Sequence, residues 1–265
     1  MTPAEKILQK RLSTLGLSTE EWDRVSTAIK DRAFFSSRVT SADFLKTCQT
    51  RIAELLSNAT NAEGVITSRA QIVSDIMEAA AVAGINTGTA SLSNPGSEAR
   101  ANVIIDTNAG LASGYCQAEI SNTYGARLAF PAQELIRIEE RVIPRDWRSR
   151  WIAAGGQLYQ GRMVALKSDQ VWTNISRFGC PYPPFDFNSG MGVEDVSFDE
   201  AVQLGLIDDE YEPEKKSPLK AFNDGLEASL TLDSSDDLII HKLTAELGDK
   251  VTLDFDSQKA VFNED

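Results

Sequence analysis

His241 is the only histidine in the chain. Any acid–base relay would have to run through it, and a metal site built on several histidines cannot form. It stands in Asp237-Leu238-Ile239-Ile240-His241-Lys242, between an apolar stripe and a lysine with no nucleophile beside it, so an ordinary boundary histidine is expected. The carboxylate pairs Asp208/Asp209, Asp236/Asp237 and Asp254/Asp256 are hard-cation donors by chemistry. None has the alternating spacing and glycine of a calcium loop, and solvated acidic faces are the expectation. Trp147, Trp151 and Trp172 lie among Arg145, Arg148 and Arg150. Aromatics interleaved with basic residues stack on single-stranded nucleic acid, or they anchor a core with arginines at its rim. Trp147 and Trp151, four apart, share one helix face, which favours the core. Cys48, Cys116 and Cys180 are odd in number and form no CxxC pair, which points to reduced thiols rather than a disulfide framework. No phosphate-cradling glycine loop is present.

The elements that must position these residues start as helices. Ser18-Thr19-Glu20-Glu21 has the form of a capping box, with Trp22, Val25 and Ile29 following at helical spacing. Thr40-Ser41-Ala42-Asp43 can cap a second helix whose stripe is Phe44, Cys48, Ile52 and Leu55/Leu56, so Cys48 reads as a small core hydrophobe. A third helix is expected from about Ser68 through Ile72, Ile76 and Met77, stopped by Gly84. After the turn-rich stretch from Thr87 to Ser97, a helix is expected from Arg100 to Glu119. Gly110 and Gly114 lie inside it, and close helix packing should offset their cost.

From Phe130 the pattern changes. Leu135 to Val142 alternates Ile136, Ile138 and Val142 with Arg137, Glu139 and Arg141, a strand pattern ended by Pro144. Met163 to Leu166 is a second strand candidate. Gly179 to Gly192 holds three prolines among aromatics and must be an ordered, aromatic-anchored loop. Phe198 to Gly205 reads as a short helix, Asp208 to Ser217 as a charged linker, and Pro218 to Leu230 and Asp236 to Leu247 as helices. Val251, Leu253 and Phe255 alternate as a strand.

Charge divides the chain unevenly. Met1 to Ser189 carries 20 basic and 19 acidic residues, a net of +1, whereas Gly190 to Asp265 carries 6 and 20, a net of −14. A near-neutral body with an acidic C-terminal module is the expectation, and such a module disfavours non-specific DNA binding. The N-terminus lacks a signal-peptide pattern, and no apolar run reaches the roughly 18 residues of a membrane span, so a protein neither secreted nor membrane-inserted is expected. The fold class read here is α+β, in three parts. Residues 1–90 form a helical region, and 91–207 a mixed region with the ordered proline-aromatic loop. Residues 208–265 form a small acidic α+β module. No catalytic, cofactor-binding or metal-ligating residue is expected.

Several segments, taken in order, resemble the Mu F-like head morphogenesis family of phage minor head proteins. These are Arg32-Ala33-Phe34-Phe35-Ser36-Ser37, Arg100-Ala101-Asn102-Val103-Ile104-Ile105-Asp106-Thr107-Asn108 and Asp169-Gln170-Val171-Trp172, then Pro183-Pro184-Phe185-Asp186-Phe187-Asn188 and Asp199-Glu200-Ala201-Val202-Gln203-Leu204-Gly205-Leu206. In that family the first marks the start of a helical N-terminal region and the last a helix ending in L-G-L. The resemblance implies a minor head component of a tailed bacteriophage or prophage, assembled in the host cytoplasm and built into the virion. It implies the portal and other head subunits as partners, leaves contact with packaged DNA open, and involves no chemical step. Family loops often carry cysteines or a histidine suited to a metal; here the loop offers no ligand beyond Cys180, so neither zinc nor another cofactor is expected. The alternative is a phage-delivered effector enzyme, an ADP-ribosyltransferase using Glu210/Glu212 or Glu212/Glu214 as its carboxylate pair, or a nuclease. A further alternative is an acidic protein-interaction module.

Overall fold

A computed structural model of the chain describes residues 1–25, 30, 33–58, 67–86, 88, 91–219, 227–229, 245, 251–254 and 259–262. The fold class is α+β. Contacts divide the chain into two compact units, residues 1–109 with 221–265, and residues 110–220.

The first unit opens with α1 (Pro3–Gln9), started by a capping box in which Thr2 and Glu5 satisfy each other's backbone amides. Strands β1 (Arg11–Ser13) and β2 (Ala33–Phe35) pair in parallel. The segment expected to begin a helical region at Arg32 is therefore a strand over Ala33–Phe35. The reason is packing: Phe34 is fully buried, and Phe35 stacks on Trp22 with ring centroids 3.9 Å apart. Helix α2 (Thr19–Arg24) has the expected Ser18 capping box and is capped at Val25, and the expected stripe residue Ile29 lies outside the described residues.

Helices α3 (Ala42–Ser57) and α4 (Arg69–Val82) follow the sequence pattern closely. Ser41 and Ser68 cap their N-termini, each accepting an amide three residues on. Phe44, Cys48 and Ile52 of α3 and Ile72 and Ile76 of α4 are buried. The end of α4 shows why Gly84 is a glycine. Its φ is +72°, and the amides of Gly84 and Ile85 bond back to Ala81 and Ala80, closing the helix as a Schellman motif. Gln49, buried on α3, donates to the carbonyls of Ile7 (2.9 Å) and Lys10 (2.6 Å) and so satisfies the open end of α1.

Helix α5 (Glu98–Ser121) spans the division between the units, and α6 (Tyr124–Ala129) comes next in the chain. In the second unit, β3 (Ala132–Arg137) lies between β4 (Val164–Leu166) and β5 (Met191–Val196), antiparallel to both. Around the sheet lie α7 (Trp147–Ala153), α8 (Val171–Asn174) and α9 (Phe198–Gln203). Neighbouring residues of a strand point to opposite faces, and the core divides accordingly. Leu135, Ala165 and Met191 join Trp147, Trp151, Trp172 and Phe185 on one face, while Ala132, Val164 and Val196 pack with Ala201 on the other. The expected strand over Leu135–Val142 is displaced: β3 ends at Arg137, and Ile138 and Val142 are exposed. Both the Ile138 and Glu139 amides turn to the Gly190 carbonyl (2.9 and 3.1 Å), which ends the ladder.

Strands β6 (Glu227–Ser229), β7 (Val251–Asp254) and β8 (Lys259–Phe262) form an antiparallel sheet in the order β6-β8-β7. The expected strand at Val251 is there as β7. The helix expected over Pro218–Leu230 is contradicted at Glu227–Ser229, where pairing with β8 makes a strand. The helix expected over Asp236–Leu247 lies outside the described residues, apart from Ala245.

Candidate functional site

The segment that draws the second unit together is the proline-aromatic loop between α8 and β5. Its base is apolar. Trp151 and Trp172 meet edge to face (centroids 5.1 Å, 66°), and Phe185 lies 6.0 Å from Trp172. Each indole N–H is satisfied, Trp151 by the Gln157 carbonyl at 2.7 Å and Trp172 by that of Leu166 at 2.9 Å. Trp147 is buried as well, so none of the three tryptophans offers a stacking face to nucleic acid.

The loop is seated on α5. A Cβ at Gly114 would lie 1.9 Å from the Pro183 carbonyl oxygen, and one at Gly110 would lie 3.0 Å from the Pro184 ring. The Pro183–Pro184 peptide is cis, and Tyr182 meets Tyr115 of α5 edge to face at 5.8 Å. The close packing expected at the two glycines is present, but against this loop rather than another helix. The part of α5 from Gly110 onward and the Pro-Pro-Phe-Asp-Phe-Asn loop are thus parts of one packed structure.

Asp186 carries the polar side of the loop. One of its oxygens accepts the Phe187 amide at 2.8 Å, and the other accepts from Arg150 Nη1 at 2.8 Å. Arg145 Nε and Arg177 Nη1 stand 3.9 and 4.0 Å from the same carboxylate. Arg145 also donates to the Phe187 carbonyl at 2.8 Å, Arg150 lies over the Trp147 ring and Arg177 over the Phe187 ring. The Asp186 side chain is 10% exposed, whereas those of Arg145, Arg150 and Arg177 are 45%, 30% and 39% exposed. Three guanidiniums held by one carboxylate leave a positive patch pre-organised toward an anionic surface. Arg145 and Arg150 come from the arginine-rich segment legible in the sequence; Arg137 and Arg148 stay exposed outside the cluster, and Arg141 pairs with Glu139 at 2.6 Å. Sequence reasoning missed Arg177 and the organising role of Asp186, because nothing in local spacing announces a convergence across 36 residues.

Other charged groups bind the elements together. Arg162 bridges Glu134 of β3 and Glu200 of α9, both at 2.6 Å, and these hydrogen bonds push its guanidinium above the ordinary range. Lys167, its side chain 1% exposed, pairs with Asp195 of β5 at 2.7 Å and donates to the Ser121 carbonyl at the end of α5. The charged linker expected over Asp208–Ser217 is tied to α6. Tyr124 donates to Glu212, which pushes its phenol up, and Arg127 donates to the Glu214 and Lys216 carbonyls at 2.7 and 3.0 Å. Glu212, one of the carboxylates of the enzyme alternative, is engaged by that tyrosine; Glu210 stands in the turn after Asp208. Cys180 is buried, and His241, Asp236, Asp237 and Asp256 lie outside the described residues. Among the described residues no group of three or more His, Cys, Asp or Glu could hold a metal ion, and no helix is long and apolar enough to cross a membrane. In the first unit, an open groove of about 360 Å³ runs along α3 and α4, lined by Asp43, Phe44, Thr47, Arg51, Asp75 and Glu78 among others. No family model, curated protein or solved structure matches the chain.

Proposed function

We propose that the chain is a minor structural protein of a tailed bacteriophage head, associating with the portal and neighbouring head subunits during assembly. The observation that supports this most is the packing together of two of the resembling segments. The Trp172 element and the Pro183–Asn188 loop share one core through Trp172 and Phe185, and two glycines in the part of α5 that belongs to the same unit make room for the prolines. Their residues are spent on packing and on holding three arginines around Asp186, which is how a rigid docking surface is made. The partners on this reading are proteins carrying acidic surface, with contact to packaged DNA left open. The test is co-expression with the portal protein encoded in the same genome, followed by sedimentation of the assembled head. The chain should travel with the portal-containing fraction. A chain that never enters that fraction, or a purified chain that transfers ADP-ribose or cleaves DNA, would overturn the reading.

A further inference from the structure

Among the described residues, the three most exposed large apolar side chains are Val142 (102%), Ile143 (86%) and Val82 (85%). The first two form the tip of the loop after β3, and Val82, the last residue of α4, lines the groove along α3 and α4. The tip is anchored at both ends. Before it, the Ile138 and Glu139 amides bond the Gly190 carbonyl and Arg141 pairs with Glu139; after it, Arg145 donates to the Phe187 carbonyl. Pro144 adds a fixed φ directly behind Ile143. Val142 and Ile143 therefore stand out between Arg141 and Arg145, whose side chains are themselves 35% and 45% exposed.

The groove has the complementary chemistry. Phe44, Ala79 and Val82 give it an apolar lining, and Asp43, Asp75 and Glu78 set carboxylates around them. On α4, Asp75, Glu78, Ala79 and Val82 recur three and four apart and so share one face. Arg51 engages Asp75 at 3.0 Å, whereas Asp43 and Glu78 are exposed and have no ion-pair partner among the described residues. An apolar cleft with a carboxylate rim fits an apolar tip between arginines: the aliphatic side chains leave water while the charges pair at the edge. The groove's open space of about 360 Å³ admits such side chains. DNA and anionic surfaces suit the tip less well, because the whole chain carries −13 and repels them. We propose that the Arg141–Arg145 tip of one copy of this chain docks in the α3–α4 groove of a second copy. The contact joins two different patches, so the association runs head to tail.

The molar mass of the purified full chain, followed by sedimentation over a range of concentrations, tests this. Wild type should grow beyond the monomer as concentration rises. V142S/I143S removes the apolar tip, and E78K/V82S removes the groove's apolar edge and reverses a rim charge. All four positions are exposed, so both variants should melt as wild type does. Each variant alone should associate about tenfold more weakly or worse, the loss expected when an anchoring contact goes. Mixed in equal amounts they should form a one-to-one pair, because the first still offers a groove and the second a tip. I120S, which removes another exposed apolar side chain, on α5, should associate as wild type does. A wild type that stays monomeric throughout would overturn the proposal. So would either double variant associating like wild type, a mixture that does not pair, or I120S losing association to the same degree.

Discussion

Trp172 shows at the scale of one residue how this protein is held together. It is fully buried, touches Trp151 and Phe185, and donates to the Leu166 carbonyl. Trp172→Ala should cost about 3–5 kcal/mol, since it leaves a large cavity in the core of the second unit. Denaturant unfolding gives the value, and a change within about 0.5 kcal/mol, typical of exposed sites, would contradict this packing. Cys48 allows a second expectation. Burial in the α3 stripe pushes its thiol up to about 12 from an ordinary 9.0. At pH 8 only about one such thiol in ten thousand is ionised, so Cys48 should resist an exposed-thiol reagent until the protein unfolds. Stability responds to pH in the same sense. The unfolded thiol loses its proton first, so the stability tied to keeping Cys48 protonated is full below pH 9.0 and is lost as pH rises from there to about 12.

Between elements, the decisive contact is α5 against the proline-aromatic loop. Gly114→Ala places a Cβ 1.9 Å from a backbone oxygen, and a backbone atom cannot swing aside as a side chain can. The expected cost is about 3 kcal/mol, at the upper end for overpacking. Gly125→Ala in α6 is the matched control, because a Cβ there meets nothing within 4 Å. It should stabilise by about 0.5–1 kcal/mol through helix propensity and a less flexible unfolded chain. Thermal or urea melts of the two variants should move in opposite directions; equal and small shifts would show that the loop is not seated on α5. The same scale explains why the glycine pair was readable and its partner was not. Gly110 and Gly114 one turn apart announce a close approach, but whether a helix or a loop fills the gap depends on a segment some 70 residues away.

At the scale of the whole molecule, the net charge of −14 beyond Ser189 is the feature most open to test. On the head-protein reading, a tail so acidic should face a basic patch on a protein partner rather than DNA, where phosphates repel it over roughly 8–10 Å. The point of truncation matters. Ending the chain at Ile207 also removes the carbonyls of Glu214 and Lys216 that hold Arg127, and the carboxylate held by Tyr124. A chain ending at Leu219 keeps those contacts and removes only residues 220–265. It should melt close to the full chain as far as the second unit is concerned, yet associate less with the portal fraction, and added salt should weaken the full chain in the same way. A Leu219-ended chain that joins the head normally would show that residues 220–265, which carry half of that excess charge, a net of −7, are not the contact.

What the sequence determined by itself is what short-range physics decides. Ser18, Ser41 and Ser68 announce helix starts because a side-chain oxygen three residues from an open amide acts locally. Gly84 and Gly205 announce helix ends because only a left-handed residue closes the last turn there. The Trp147/Trp151 face and the Phe44, Cys48, Ile52 stripe are likewise set by helical period, and all five are buried. Only the tertiary structure decided that Ala33–Phe35 is a strand, that β3 stops at Arg137, and that Arg145, Arg150 and Arg177 meet at Asp186. Each depends on a partner distant in the chain, and pairing and charge convergence at that distance leave no period for a local pattern to reveal.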